Sequence, residues 1–127
     1  MFPSDLKYHT EHTWVRREEG GKCRIGLTFF AQEQLQEIVF VELPSPGSEV
    51  EQSEPFGVVE SRKVAQDICS PVSGKVIEIN SRLELEPGLI NSDPYGEGWM
   101  MLVEVSELSQ LDSLMDAEKY QSLAAGE

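Results

Sequence analysis

Along the chain, short apolar runs rich in valine and isoleucine alternate with turns made of proline, glycine and serine. "KCRIGLT" (22–28), "IVFVEL" (38–43), "FGVVES" (56–61), "GKVIEI" (74–79) and "WMMLVEV" (99–105) have the length and β-branched content of strands. The spacing predicts a β-domain of short strands. One stretch breaks the rhythm: in "TFFAQEQLQ" (28–36), Phe30, Ala31 and Leu35 recur at helical spacing behind Thr28, a residue that caps helices. The period changes again after residue 105. Leu108, Leu111, Met115 and Leu123 fit one or two short amphipathic helices with Ser106 and Asp116 as N-caps, read here as a packed cover.

A second regularity is an internal echo. "LPSPGSEVEQSEPFGVVE" (43–60) and "LEPGLINSDPYGEGWMMLVE" (85–104) share a Pro-Gly turn, then Pro-aromatic-Gly, then an apolar run ending in glutamate. Two similar half-sheets related by a pseudo-twofold would give this pattern, with Phe56 superposing on Tyr95. The segment joining the halves would contain Lys63.

Size and charge narrow the function. With 127 residues, 39% of them apolar, residues 1–127 read as one domain with a modest core. Twenty-three acidic against ten basic residues give a formal charge of −13, which repels nucleic acid and anionic membrane surfaces and suits solubility or partners with basic patches. No run is long enough to span a bilayer, and "MFPSDLKYHTEH" has neither the cationic start nor the apolar stretch of a secretory signal. The expectation is a cytoplasmic protein. Cys23 and Cys69 are too few for a disulfide scaffold and lack zinc-ligand spacing; they are of redox interest only if folding brings them together. His9 and His12 lie close in sequence without an evident nucleophile, so no catalytic centre is read there.

The candidate chemistry sits in "VVESRKVAQDICSPVSGKV" (58–76). A strand ends at Ser61 and the apolar run resumes at Ile68, which puts Lys63 at or beside an exposed hairpin tip. Alone, such a lysine is merely solvated. The surrounding words are more specific. "ESRKVAQDICSPVSGKVIEIN" (60–80) resembles the lipoyl-lysine segment of the glycine cleavage H-protein family, and "LKYHTEHTWV" (6–15), "AQEQLQEIVFVELPSPG" (31–47) and "LINSDPYGEGWMMLVEV" (89–105) match that family's other blocks in order.

The resemblance implies a mainly β fold, a biotinyl/lipoyl-carrier barrel-sandwich hybrid of two small antiparallel sheets with a short internal helix and C-terminal helices. It implies lipoate in amide linkage to Lys63, with Glu60, Ser61, Asp67 and Gly74 shaping the hairpin that a lipoate ligase or lipoyl transferase reads. Lys75 follows the "SPVSG" turn instead of the "ES" pair and is the weaker candidate. The carrier itself would be non-catalytic, its swinging arm shuttling an aminomethyl group between glycine decarboxylase, an aminomethyltransferase and dihydrolipoamide dehydrogenase. A hairpin tip on a rigid sheet suits that task, since the tether's base must stand clear for several enzymes. The Met-Lys-Met tip usual in biotinyl domains is absent.

Departures from the family pattern cluster around the cleft in which such proteins shelter the loaded arm. There Glu11, Thr13 and Asp67 are the expected lining. The usual "EHEWV" reads "EHTWV", so Thr13 replaces a carboxylate that would face the arm's amine. Phe29 stands at a usually acidic position, Gln36 at the glycine expected to end the helix, Arg62 at a commonly apolar site, and Cys69 where Tyr or Asn is frequent. A second reading therefore stands beside the first: an H-protein-like lipoate-binding protein of sulfur oxidation, working with a heterodisulfide-reductase-like complex and needing no amine-binding glutamate.

Overall fold

A computed structural model describes residues 2–126. Its strands are β1 (Lys7–Tyr8), β2 (Thr13–Arg17), β3 (Lys22–Leu27), β4 (Ile38–Glu42), β5 (Glu49–Val50), β6 (Pro55–Ser61), β7 (Ala65–Cys69), β8 (Gly74–Ile79) and β9 (Met101–Val105). They form two sheets, one of six strands in the order β1-β2-β3-β9-β8-β5 and one of three, β4-β6-β7, with antiparallel pairing between all paired strands. The expected mainly β architecture of two antiparallel sheets is present, although one sheet is twice the width of the other.

The helix expected over 28–36 is α1 (Phe29–Leu35), and the Thr28 hydroxyl accepts the Ala31 N–H at 3.2 Å. That bond satisfies one of the donors a helix N-terminus leaves unpaired. Two four-residue helices, α2 (Arg82–Leu85) and α3 (Leu89–Ser92), follow β8, and α4 (Ala117–Ala125) closes the chain with Asp116 accepting the Lys119 N–H at 2.8 Å. The segment Leu108–Ser113 is a 3-10 turn entered from Glu107, so Ser106 is not its cap; the Ser106 hydroxyl donates to the Ser73 carbonyl instead.

Three apolar clusters hold these layers. Val15, Ile25, Val76, Met101 and Val103 fill the inner face of the larger sheet, and Ile38, Val41, Val59 and Ile68 of the smaller sheet pack with Leu27, Ala31 and Ile90. Phe56 bridges these two clusters. The third is aromatic: Tyr8 stacks on Tyr120 of α4 at 4.8 Å, and Trp14 lies beside them, so α4 covers the core as expected.

The internal echo does not survive folding. Phe56 lies in β6, whereas Tyr95 sits in an irregular turn where its hydroxyl accepts the Phe29 N–H at 2.9 Å and burial pushes its pKa up to about 12. The second copy of the motif contains α3 where the first contains β5. Shared Pro-Gly turns, which start helices and hairpins alike, produced the likeness.

Candidate functional site

Strands β6 and β7 form a hairpin whose last ladder pair is Glu60 with Ala65. Ser61 closes it. Its N–H donates to the Val64 carbonyl at 2.9 Å, and its hydroxyl oxygen accepts the N–H groups of Lys63 and Val64, each at 3.3 Å. A serine hydroxyl replacing backbone acceptors in this way makes a compact turn. Ser61 is buried, while Arg62, Lys63 and Val64 are exposed. Arg62 is tied back, its guanidinium 2.7 Å from the Glu37 carboxylate just before β4. Among the described residues Lys63 has no ion-pair partner. The turn therefore presents one unengaged ammonium on a tip braced on both sides.

Beside this hairpin opens a cleft of about 320 Å³. Its apolar wall is Leu27, Phe30, Ala31, Leu35 and Ile68, and Glu11, His12, Gln34, Gln66 and Asp67 supply polar groups. Helix α1 forms one side because its Thr28 cap turns Phe30, Ala31 and Leu35 along the strand that ends in Leu27. On the other side stands β7, the outer strand of the smaller sheet. Such a hollow, mostly apolar with two carboxylates at its margin, suits a long aliphatic chain ending in a cation.

Two expected site residues lie elsewhere. Thr13 is fully buried and does not line the cleft. Its hydroxyl donates to the Cys69 carbonyl at 3.2 Å, opposite Pro55, a ladder partner with no N–H to offer. Strand β2 begins only at Thr13, and His12 adopts φ 71°, so the alternation that would put positions 11 and 13 on one face is broken. Glu11 consequently reaches the cleft and Thr13 does not. Gly74 is no part of the hairpin either: it lies in β8 of the larger sheet, paired with Val50 and Val105, where a β-carbon would collide with the Glu104 carbonyl and the Val103 side chain. Glu60 lies in β6 opposite Phe40 and Ala65, and Asp67 in β7 opposite Val58.

Lys75 projects from mid-strand between Glu49 and Glu104, its cross-strand partners, and so lacks the protrusion that Lys63 has. Cys23 and Cys69 are both free thiols. Burial raises the pKa of each, and nearby carboxylates raise that of Cys69 further, so neither is a ready nucleophile.

Nothing local in the sequence marks the apolar cleft lining as part of a site. Phe30, Ala31 and Leu35 read simply as a helix face, and only the fold brings residues 11–12, 27–35 and 66–68 together. His12 is a further wall residue; its Nδ1 lies 2.7 Å from the Tyr120 hydroxyl, itself 2.8 Å from the Thr28 hydroxyl, which links α4 to the start of α1.

Comparison with known proteins bears on this geometry. The family model described as "Glycine cleavage H-protein" matches residues 6–126. A glycine cleavage system H protein of Brevibacillus brevis is 52% identical over 122 residues, 96% of each chain. One from Symbiobacterium thermophilum is 54% identical over 118 residues, covering 93% of this chain and 91% of the relative. The crystal structure of a glycine cleavage system H protein from Mycobacterium marinum superposes with a TM-score of 0.89 at 34% identity, covering 98% of this chain and 99% of that one.

Proposed function

Because the chain belongs to the glycine cleavage H-protein family, we propose that it is the lipoyl carrier of a glycine cleavage system, with lipoate in amide linkage to Lys63. The observation that carries this reading is the exposed lysine on a braced hairpin tip beside an apolar cleft with two carboxylates. The residues fit the group. An exposed lysine without an ion-pair partner on a three-residue tip can give up a proton and offer its neutral amine for acylation, and the cleft is apolar where a lipoyl chain is apolar.

When bound, the lipoyl group supplies a disulfide that takes up a one-carbon amine unit and is afterwards restored by oxidation. The chain's own residues then have distinct tasks. Ser61 and the Arg62–Glu37 pair keep the tip from folding back, so Lys63 stays presented to a lipoate ligase or lipoyl transferase and to successive enzymes. Leu27, Phe30, Ala31, Leu35 and Ile68 exclude water from a docked arm, and Glu11 and Asp67 hold the proton-bearing amine at its end. A non-catalytic, cytoplasmic carrier visiting glycine decarboxylase, aminomethyltransferase and dihydrolipoamide dehydrogenase is consistent with the charge of −13. Among the described residues no helix is long and apolar enough to cross a membrane. The sulfur-oxidation reading drew its force from the carboxylate missing at position 13. With Thr13 buried and Glu11 and Asp67 on the cleft, no observation favours it.

The test is peptide mapping by mass spectrometry after treatment with lipoate and a lipoate ligase, then with glycine and glycine decarboxylase. Modification should fall on Lys63 alone and vanish in Lys63→Arg, and the modified peptide should gain the one-carbon amine unit. Modification of Lys75, or a lipoylated chain that stays unloaded beside an H protein that loads, would overturn the proposal.

A further inference from the structure

We infer that His9 is a positioning residue for the cleft: held neutral between Glu11 and Ser53, it fixes the Glu11 carboxylate on the cleft wall, and protonating it releases that carboxylate and the docked arm. The inference rests on the reading of the cleft given above. Residues 9–12 link β1 to β2, and His9 within that loop is 7% exposed. The Glu11 N–H donates to His9 Nδ1 at 3.0 Å. A backbone amide can only donate, so Nδ1 carries a lone pair and the ring proton sits on Nε2, which donates to the Ser53 hydroxyl at 2.9 Å. Both nitrogens are committed, and geometry alone fixes the neutral tautomer.

A second observation marks this bridge as a stressed junction. His12 and Ser53 both hold φ 71°, a left-handed conformation that residues other than glycine adopt at a cost and keep only when their surroundings enforce it. The His12 N–H donates to the His9 carbonyl at 2.9 Å and the Ser53 N–H to the Ser70 carbonyl at 2.7 Å. The His9 ring joins these two turns. A second ring proton would set Nδ1–H against the Glu11 N–H, donor against donor, and the loop bearing Glu11 and His12 would relax.

The groups around His9 set the direction of its titration. Burial lowers its pKa from 6.5, the Glu11 carboxylate opposes that shift, and His12 adds to it. Ser53 and Gln52 face it from the link between β5 and β6, and Ser113, Leu114 and Met115 from the C-terminal side; none of these titrates. Tyr8 on β1, its hydroxyl pKa raised chiefly by burial, is the remaining titratable neighbour around a hollow of about 190 Å³.

The test uses the full-length chain in wild-type, His9→Asn and His9→Ala forms. Asparagine can accept the N–H two residues on in an Asx-turn, so it keeps the bond to Glu11 without titrating. In nitrogen-15 spectra of the unlipoylated protein, the Glu11 amide should shift with the His9 ring as pH falls from 8 to 5, and should not in His9→Asn. With the arm loaded, wild type should discharge about fivefold faster at pH 5 than His9→Asn, the population change that accompanies loss of one hydrogen bond. The two should match at pH 8, and His9→Ala should discharge fast throughout. Identical profiles for wild type and His9→Asn, or a Glu11 amide indifferent to His9, would overturn the inference. If discharge at pH 8 is also unchanged in a Glu11→Gln, Asp67→Asn chain, the cleft reading itself falls; if that chain discharges faster, only the role of His9 falls.

Discussion

Replacing Gln36 by glycine should stabilise this protein, because the residue closes α1 in a backbone conformation that glycine adopts without strain. Gln36 ends α1 with φ 67° and ψ −144°, at the edge of a region populated almost solely by glycine. It is kept there by its backbone: its N–H donates to the Gln32 carbonyl at 2.8 Å, and its carbonyl accepts the Asn91 amide at 2.7 Å. Its side chain is exposed, so little packing is lost with it. Conformational strain of this kind costs about 1–3 kcal/mol. Glycine removes it, but gains about 0.4–1 kcal/mol of extra freedom in the unfolded chain. The balance is a stabilisation of about 1 kcal/mol, which for a chain of this length raises Tm by about 4 °C.

Calorimetry of wild type, Gln36→Gly and Gln36→Ala would decide the matter. Alanine removes the same side chain but keeps the β-carbon that strains the turn, so it should give no gain. A Gln36→Gly midpoint at or below wild type, or an equal gain from alanine, would refute the account. Lipoylation of Lys63 should be unchanged, because Glu37 and its partner Arg62 are untouched.

Thr13→Val should lower stability by about 1–2 kcal/mol, measured by urea unfolding, because the Cys69 carbonyl loses the Thr13 hydroxyl in a buried setting; arm retention should not change. Asn91→Ala should cost about 2–3 kcal/mol, since Asn91 accepts the Ile38 N–H at 3.0 Å and donates to Gln32 and Gln36, binding α3 to the link between α1 and β4. Glu11→Gln and Asp67→Asn should each speed discharge of the loaded arm about fivefold, the worth of a partly exposed charged hydrogen bond, as read by the release of its one-carbon unit.

Legibility in the sequence followed element length and locality. The longer strands and α1 were readable because β-branched runs and the Thr28 cap act within a few residues. The two-residue β1 and β5 and the four-residue α2 and α3 are too short to show a period. The exposed position of Lys63 is legible through the gap between two apolar runs, which marks the hairpin that lifts it. The cleft was half legible. Its carboxylates Glu11 and Asp67 lie in recognisable segments, whereas Thr13, implied as lining by the resemblance, is buried beside His12, where a positive φ interrupts the strand's alternation. Gly74, which the resemblance implies as part of the hairpin, lies beyond a change of sheet between β7 and β8 that its proximity in sequence conceals.

The strained positions explain why the site can be both exposed and exact in shape. Among the described residues, three that are not glycine hold positive φ, namely His12, Gln36 and Ser53, and all three lie in links around the cleft and hairpin. His12 lines the cleft, Gln36 precedes the carboxylate that ties Arg62 beside Lys63, and Ser53 receives the bond from His9. A loop free to relax would leave an arm's berth ill-defined, whereas a loop held in a costly conformation needs a rigid frame to enforce it. The two sheets are that frame: Val59 and Ile68, on the strands that carry Lys63, are packed into the core. The strain at Gln36 is therefore separable from function, since its role is only to turn the chain. At His12 the same conformation shapes the cleft wall, and glycine there should gain backbone ease but lose retention of the arm.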